Sequence, residues 1–444
     1  MTAPTRTEPT PLNRVVIGLQ WGDEGKGKIV DLLARRSRHV VRFQGGNNAG
    51  HTLVVHGEKV VLHVIPSGVL HEGVSCIVGN GVVVDPETVL AELDGLEASR
   101  GPVAPDRLQF SDAAQVIMPY HCELDASRED ALGGEQIGTT RKGIGPCYED
   151  KVARRGVRMA DLIDPVALRR RLESVLPEKN RILREWYGKE GFEIDALMAR
   201  LAPVAARLAP YVTDTVAALH DAIDAGEPIL FEGAQGTFLD VDHGAYPFVT
   251  SSNTVAGGAC AGSGVGPRDL HAVVGVVKAY CTRVGAGPFP TELDDDTGAR
   301  LRSVGHEFGA TTGRPRRCGW LDLPLLRRAI RMSGVTHLAL TKLDVLTGFH
   351  PIRVATAYED GRGVPSRPEG YADLTPVYED LDGWDEDLSG LASWAELPTA
   401  ARAFVERIEK LTGVPVVLVG TGPGREAVIL RGDLLSSTDE AAGR

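Results

Sequence analysis

The run Gly22-Asp23-Glu24-Gly25-Lys26-Gly27-Lys28 constrains this chain more than any other, because it lies between an apolar, strand-like run at 15–19 and helix-forming residues at 29–36. Its spacing is G-x-x-x-x-G-K. Glycines at those positions let backbone N–H groups turn toward phosphate oxygens, the helix behind presents its positive end, and lysine adds charge. A phosphate-binding loop of this kind needs a strand entering and a helix leaving, so the chain is expected to be α/β. Two residues depart from a plain phosphate loop. Ile29 stands where Ser or Thr would ligate magnesium, and Asp23 sets a carboxylate among phosphates, which repel it unless it holds a metal or handles a proton. Asp23 is a candidate for both tasks. The plainer alternative is a glycine-rich turn carrying a solvated charge cluster, and the flanking strand and helix argue against it.

Apolar runs of strand length recur at 39–43, 76–84, 229–231, 272–279, 336–340 and 414–419, with helix-like periodicity in many gaps. This alternation predicts an α/β, P-loop-NTPase-like fold: a mostly parallel, doubly wound central sheet flanked by helices. Residues 52–55 and 59–64 around His56-Gly57-Glu58 read as a small antiparallel hairpin. From 165 to 225 Leu, Ala, Arg and Glu prevail, which predicts an all-helical insertion within a largely helical stretch at about 100–225. Residues 359–398, part of a span at 345–398, look like a surface excursion before a final helix at 400–411. The polar, Pro/Thr-rich residues 1–14 are expected to form a disordered tail, 15–436 one catalytic unit, and 437–444 a C-terminal tail. A length of 444 residues would suit roughly three domains. The chemical motifs, however, run from Gly22 to Arg425, so one site is expected to draw on the whole chain.

A net charge of −12 argues against a broad nucleic-acid surface. Six cysteines without a C-x-x-C pair suggest neither a zinc site nor a disulfide framework, and reduced cytoplasmic thiols are the default. No apolar stretch approaches the ~20 residues that span a bilayer, so no membrane partner is expected.

Thr341-Lys342-Leu343-Asp344 follows the strand-like run ending at Leu340 and matches the guanine-recognition spacing N/T-K-x-D. One carboxylate can accept from both the ring N–H and the exocyclic amine of guanine, whereas adenine offers no such adjacent pair of donors. Alone the four residues are equally well a solvated turn; joined to a phosphate loop they point to GTP. Five further segments carry chemistry. Gln44-Gly45-Gly46-Asn47-Asn48-Ala49-Gly50-His51-Thr52 lets backbone approach a ligand and ends in an imidazole able to act as an acid, or to serve as a structural hydrogen bonder. Phe231-Glu232-Gly233-Ala234-Gln235-Gly236-Thr237 closes a strand with an amide, and Val249-Thr250-Ser251-Ser252-Asn253 supplies hydroxyls, or both are polar turns. Gly138-Thr139-Thr140-Arg141-Lys142-Gly143-Ile144-Gly145-Pro146 reads as an anion-contacting loop. Gly309-Ala310-Thr311-Thr312-Gly313-Arg314-Pro315-Arg316-Arg317 packs three arginines into a hydroxyl-rich loop, which suits a small anionic substrate unless the loop is merely solvated.

Taken in order, QWGDEGKGK, GGNNAGHT, GTTRKGIGP, YEDKVARRG, FEGAQGT, PFVTSSNT, GATTGRPRR, LTKLDVL and TGPGRE closely resemble the adenylosuccinate synthetase family, from about Val15 to Leu430. The resemblance implies a Mg2+-dependent, GTP-driven ligase joining IMP and L-aspartate into adenylosuccinate, GDP and phosphate. By it, Asp23 takes the N1 proton of IMP so that O6 attacks the γ-phosphate, His51 acts as the acid, and Lys26 and Gln235 complete the catalytic set. Asp23 and the Gly50 carbonyl would hold magnesium. GTP would meet Gly22 to Lys28 (Asp23, Glu24, Gly25, Lys26 and Gly27 included), Gly50, His51, Thr52, Arg316, Lys342, Leu343, Asp344, Gly420, Thr421 and Gly422. IMP would meet Asp23, Glu24, Gly25, Lys26, Asn48, Ala49, Gly50, His51, Thr140, Gln235, Thr250 and Arg314, with Arg154 reaching into a partner's site and so implying a homodimer. L-aspartate would meet Ala310, Thr311, Thr312, Gly313, Arg314, Pro315 and Arg316. Gly420, where a serine is expected, and Pro315, inside a usually basic stretch, depart from the family pattern.

Two other readings stay open. A regulatory GTP switch should carry D-x-x-G soon after its phosphate loop, and none occurs before Asp130. Another nucleotide-dependent amine ligase would share the loop but use a different acceptor.

Overall fold

The computed structural model describes residues 13–431 apart from 49, 56–57, 310–312, 362 and 366–367, and leaves undescribed the side chains of 51–55, 58–60, 135, 360 and 368–369. The expected tails at 1–12 and 437–444 lie outside the described residues. Asn13 and Arg14, assigned to the tail from sequence, are instead buried: the Asn13 side-chain oxygen accepts from the Ile229 N–H at 2.9 Å, and Arg14 opens the first strand.

Among the described residues ten strands form the central sheet: β1 (Arg14–Gly18), β2 (His39–Arg42), β3 (Ser75–Val78), β4 (Leu108–Ser111), β5 (Val212–Thr213), β6 (Ile229–Glu232), β7 (Ala272–Lys278), β8 (His337–Thr341), β9 (Val416–Gly420) and β10 (Val428–Leu430). Their order across the sheet is β10-β9-β8-β7-β1-β6-β2-β3-β4-β5. All neighbours are parallel except β9 and β10. A parallel sheet needs both faces covered, and β1 divides its side chains accordingly. Val15 and Ile17 join an apolar cluster with Trp320, Leu326 and Phe404, while Val16 joins one with Ile29, Leu33, Leu172 and Leu208.

Three expectations change. The run at 76–84 is not one strand: it breaks after Val78, where the chain presses so closely on its neighbours that a Cβ added at Gly81 would stand 2.1 Å from the Phe43 carbonyl oxygen. The span 165–225 is not wholly helical, since Val212–Thr213 adds to the sheet edge beside β4, and its helices Pro165–Tyr187 and Ile194–Leu208 pack into the same cluster as the phosphate-loop helix. Nor is 345–398 simply a surface excursion: Ile352–Tyr358 pairs with Pro376–Leu381 and with Leu321–Asp322, and Trp384 and Leu388 are buried, Trp384 edge-on to Phe404. The hairpin forms as expected, His51–Val55 pairing antiparallel with Glu58–Leu62.

Asp322 caps the helix Leu323–Ser333 by accepting the Leu325 N–H at 3.0 Å, and both its oxygens face the Tyr358 hydroxyl at 2.9 and 2.8 Å. Burial raises its acid to about 7, and these hydrogen bonds only partly oppose the rise. The folded value thus exceeds the ordinary one of about 3.9. Its contribution to stability is therefore fully present below about pH 4 and is lost as pH rises through about 7. Asp322→Asn keeps the cap and removes this titration, so the variant's melting temperature should gain on wild type steadily between about pH 4 and pH 7, the window spanned by the two values, and level off above it. A difference that stays constant across that range would contradict the assignment.

Candidate active site

The motif loops at 19–25, 43–52, 233–237, 342–344 and 421–425 leave the carboxyl ends of β1, β2, β6, β8 and β9, on one edge of the sheet, where ligand sites of open α/β folds lie. After β1 the chain turns through Gly22 (φ 83°), Asp23 (φ 58°) and Gly25 (φ 88°) into the helix α1 (Lys26–Ala34). Left-handed backbone at the two glycines costs little, and it explains why they stand there. Glu24 turns inward: its Oε1 accepts the N–H groups of Gln20 at 3.0 Å and Gly22 at 2.9 Å, and its Oε2 pairs with Lys26 Nζ. Glu24 is fully buried, and its carboxylate braces the loop. Lys28 Nζ donates to the carbonyls of Gly422 (2.8 Å) and Ala427 (2.7 Å), tying α1 to the turn after β9. Burial brings that ammonium down to about 8, against the pull of Asp344. Asp31 on α1 makes a second tie through Arg425 (Nη2 to Oδ1 2.7 Å) and also meets His71 at 2.8 Å.

Asp344 follows β8 and Thr421 follows β9, which are neighbours in the sheet. Asp344 Oδ1 and Thr421 Oγ1 are both buried without a hydrogen-bond partner among the described residues. Burial pushes the Asp344 acid up from its ordinary value, with Lys342 and Lys28 pulling it back. Orphaned buried oxygens are costly, so a pair of them at one strand edge marks a place for a ligand that donates hydrogen bonds. Leu343 is buried, and Gly420 ends β9 where an added Cβ would stand 3.3 Å from the Thr341 Cα.

A second cradle gathers side chains from three loops. Gln235 Nε2 donates to Asn48 Oδ1 at 3.1 Å, and Asn48 Nδ2 reaches Thr250 Oγ1 at 3.5 Å. Gln235 sits at φ 59°, and its Oε1 is buried and unpartnered. Arg314 Nη2 donates to the Gly138 carbonyl at 3.2 Å, which brings the arginine loop against the loop bearing Thr140. Gly313 and Pro315 are exposed there; Ala310, Thr311, Thr312 and Ala49 lie outside the described residues, as do the side chains of His51 and Thr52. Gly50 is described and half-buried. The loop bearing Asp23 runs between the two cradles, Gly22 facing Gln235 and Gly25 facing Thr341, and Asp23 Oδ2 meets Arg316 Nε at 2.7 Å. Arg154 lies apart from both, exposed at φ 62° in a turn whose next two N–H groups donate to the Asp150 carbonyl.

Several supporting residues escaped sequence reasoning. Buried Arg42 donates to the carbonyls of Gln44 (3.0 Å), Gly46 (3.1 Å) and His63 (3.0 Å), shaping the Asn48 loop. Asp240 accepts from the N–H groups of Asp242, His243, Thr254 and Val255, holding the Thr250 loop. Glu307 is buried among Lys278, Tyr280, Lys342 and Arg316. A lysine, Lys278, inside the otherwise apolar run at 272–279 was the one signal of that cluster in the sequence.

No helix among the described residues is long and apolar enough to cross a membrane. The model of the adenylosuccinate synthetase family matches residues 15–429. The adenylosuccinate synthetase of Oleidesulfovibrio alaskensis is 55% identical over 425 residues, 94% of this chain and 99% of the relative, and that of Pelobacter propionicus is 53% identical over 95% of this chain and 100% of the relative. The fully ligated adenylosuccinate synthetase structure from Plasmodium falciparum superposes with a TM-score of 0.89 at 36% identity, covering 95% of this chain and 100% of that one. On this identity, family match and shared fold, the chain belongs to the adenylosuccinate synthetase family and is a ligase that joins IMP and L-aspartate into adenylosuccinate on the way to AMP.

Proposed function

We propose that the ligase is driven by GTP with Mg2+ and that Asp23 is its base. The orphaned pair Asp344 Oδ1 and Thr421 Oγ1 carries the nucleotide assignment. A carboxylate oxygen buried without a donor matches the N1–H and 2-amino group of guanine, and Lys342 beside it covers the base. Phosphates then extend toward the N–H groups of the loop 22–25 and the start of α1. IMP occupies the Asn48–Gln235–Thr250 cradle, with Arg314 and Thr140 at its rim and L-aspartate against the loop 310–316. Asp23, between the cradles, removes the N1 proton and turns O6 into the nucleophile for the γ-phosphate; His51 donates a proton to the reacting oxygens, and the L-aspartate amine then displaces phosphate at C6.

The residues suit magnesium. The Asp23 carboxylate already receives a cation, Arg316, and with the Gly50 carbonyl it would supply hard oxygen ligands. Bound there, the ion neutralises charge on the phosphate oxygens. The decisive experiment is an ultraviolet assay for adenylosuccinate with GTP, IMP and L-aspartate omitted in turn. Product should require all three, and formation without GTP would refute the assignment.

A homodimer sharing Arg154 completes the proposal. Mixing inactive Arg154→Leu and Asp23→Ala chains should restore about a quarter of wild-type activity, since half the dimers are mixed and each of those holds one intact site. No recovery would mean that each subunit is self-contained.

A further inference from the structure

Glu307 lies on neither motif that binds nucleotide, yet it is fully buried beside both. Its Oε1 meets Lys278 Nζ at 2.9 Å, Lys342 Nζ at 3.3 Å and the Tyr280 hydroxyl; its Oε2 accepts from Arg316 Nη1 at 2.6 Å. Lys342 Nζ also donates to the Gly305 carbonyl, and Lys278 Nζ to Thr282 Oγ1 at 2.8 Å. Burial alone would raise the Glu307 acid, but Lys278, Lys342 and Arg316 outweigh it and hold the carboxyl well below its usual range. A single buried anion therefore joins the base-site lysine to the arginine that covers Asp23.

We propose that Glu307 is a positioning residue for the ligase reaction, tying Lys342 over the guanine position and Arg316 beside Asp23 into one unit. The inference rests on the GTP reading above and deepens it. While Arg316 sits on Asp23, its guanidinium competes with a proton or a metal for Oδ2. Glu307 gives the guanidinium a second carboxylate to stay on once Asp23 is engaged, so Arg316 neither drifts into the site nor stays clamped to the base. The same anion orients Lys342, so arrival of the base and freeing of Asp23 act on shared charge.

Steady-state kinetics of Glu307→Gln test this. Turnover should fall roughly tenfold or more and KM for GTP should rise about tenfold, while KM for IMP moves less than about threefold. Calorimetric GDP affinity should weaken by a similar factor, about tenfold. In an Arg316→Ala background, Glu307→Gln should lower turnover by no more than about twofold further, because its effect on turnover runs through Arg316. Leaving buried Lys278 and Arg316 and half-buried Lys342 with one partner fewer can cost stability, so the charge-balanced Lys278→Met/Glu307→Gln chain is measured alongside; with a wild-type melting temperature it should show the same GTP-selective split. Constants within about threefold of wild type, additive losses with Arg316→Ala, or full recovery in the balanced chain would overturn the positioning role. Wild-type enzyme run in parallel separates the two claims. If it forms no adenylosuccinate from the three substrates, the GTP reading falls; if it does and Glu307→Gln matches it, only the Glu307 role falls.

Discussion

Asp23→Ala should lower turnover by about a thousandfold or more while GDP and GTP still bind, because a positioned base contributes roughly 10² to 10⁴ and here a metal ligand goes with it. The asymmetry has a structural cause. Nucleotide affinity in this site depends on loop N–H groups, on the brace that Glu24 makes to Gln20 and Gly22, and on the Asp344–Thr421 edge, none of which touches the Asp23 side chain. Removing a negative charge from among phosphates also relieves repulsion, so ground-state binding should not suffer. Arg316 loses one carboxylate but keeps Glu307 at 2.6 Å, which leaves the loop anchored. Calorimetry with GDP and the adenylosuccinate assay together decide the matter. Retention of more than about a few per cent of turnover, against the loss expected of a base, would remove Asp23 from that role.

Asp344→Asn should raise KM for GTP by about a hundredfold or more, since hydrogen bonds to a charged group contribute about 1.5–3 kcal/mol each and two are at stake. The same change should improve use of xanthosine triphosphate. Xanthine replaces the 2-amino donor with an oxygen acceptor, and asparagine offers a donor to that oxygen while still accepting from N1–H. The reciprocal shift is the informative part: a fold defect would weaken both nucleotides, whereas a recognition defect exchanges them. Because Asp344 Oδ1 is buried and unpartnered, little else in the protein should notice the substitution. Equal use of GTP by variant and wild type would place the base elsewhere.

Local chemistry made much of this molecule readable before any tertiary structure. The phosphate loop depends on backbone angles that glycine adopts freely, so Gly22 and Gly25 announce it within seven residues. Long apolar runs such as 272–279 became interior strands because a parallel strand with both faces covered has nothing polar to show. The central-sheet strands that escaped notice, Leu108–Ser111, Val212–Thr213 and Val428–Leu430, are short and lie at or next to the ends of that sheet, where pattern is weakest. Trp384 and Leu388 escaped notice for another reason: acids and tyrosines around them mimic a surface, and only pairing with a distant strand buries them.

The sequence by itself determined an α/β chain with an acidic phosphate loop, a carboxylate placed to read guanine and an arginine-rich loop, because each of these follows from a few neighbouring residues and their backbone freedom. Tertiary structure alone decided which charges meet. Glu24 and Lys26 neutralise each other inside the loop, Lys28 and Asp31 fasten the phosphate helix to a turn nearly four hundred residues away, and Glu307 gathers Lys278, Lys342 and Arg316. Apart from Glu24–Lys26 and Glu307–Arg316, these partners are separated by dozens to hundreds of residues, and a buried ion is stable only with its counterion in place, so packing and not local propensity chooses the pairs.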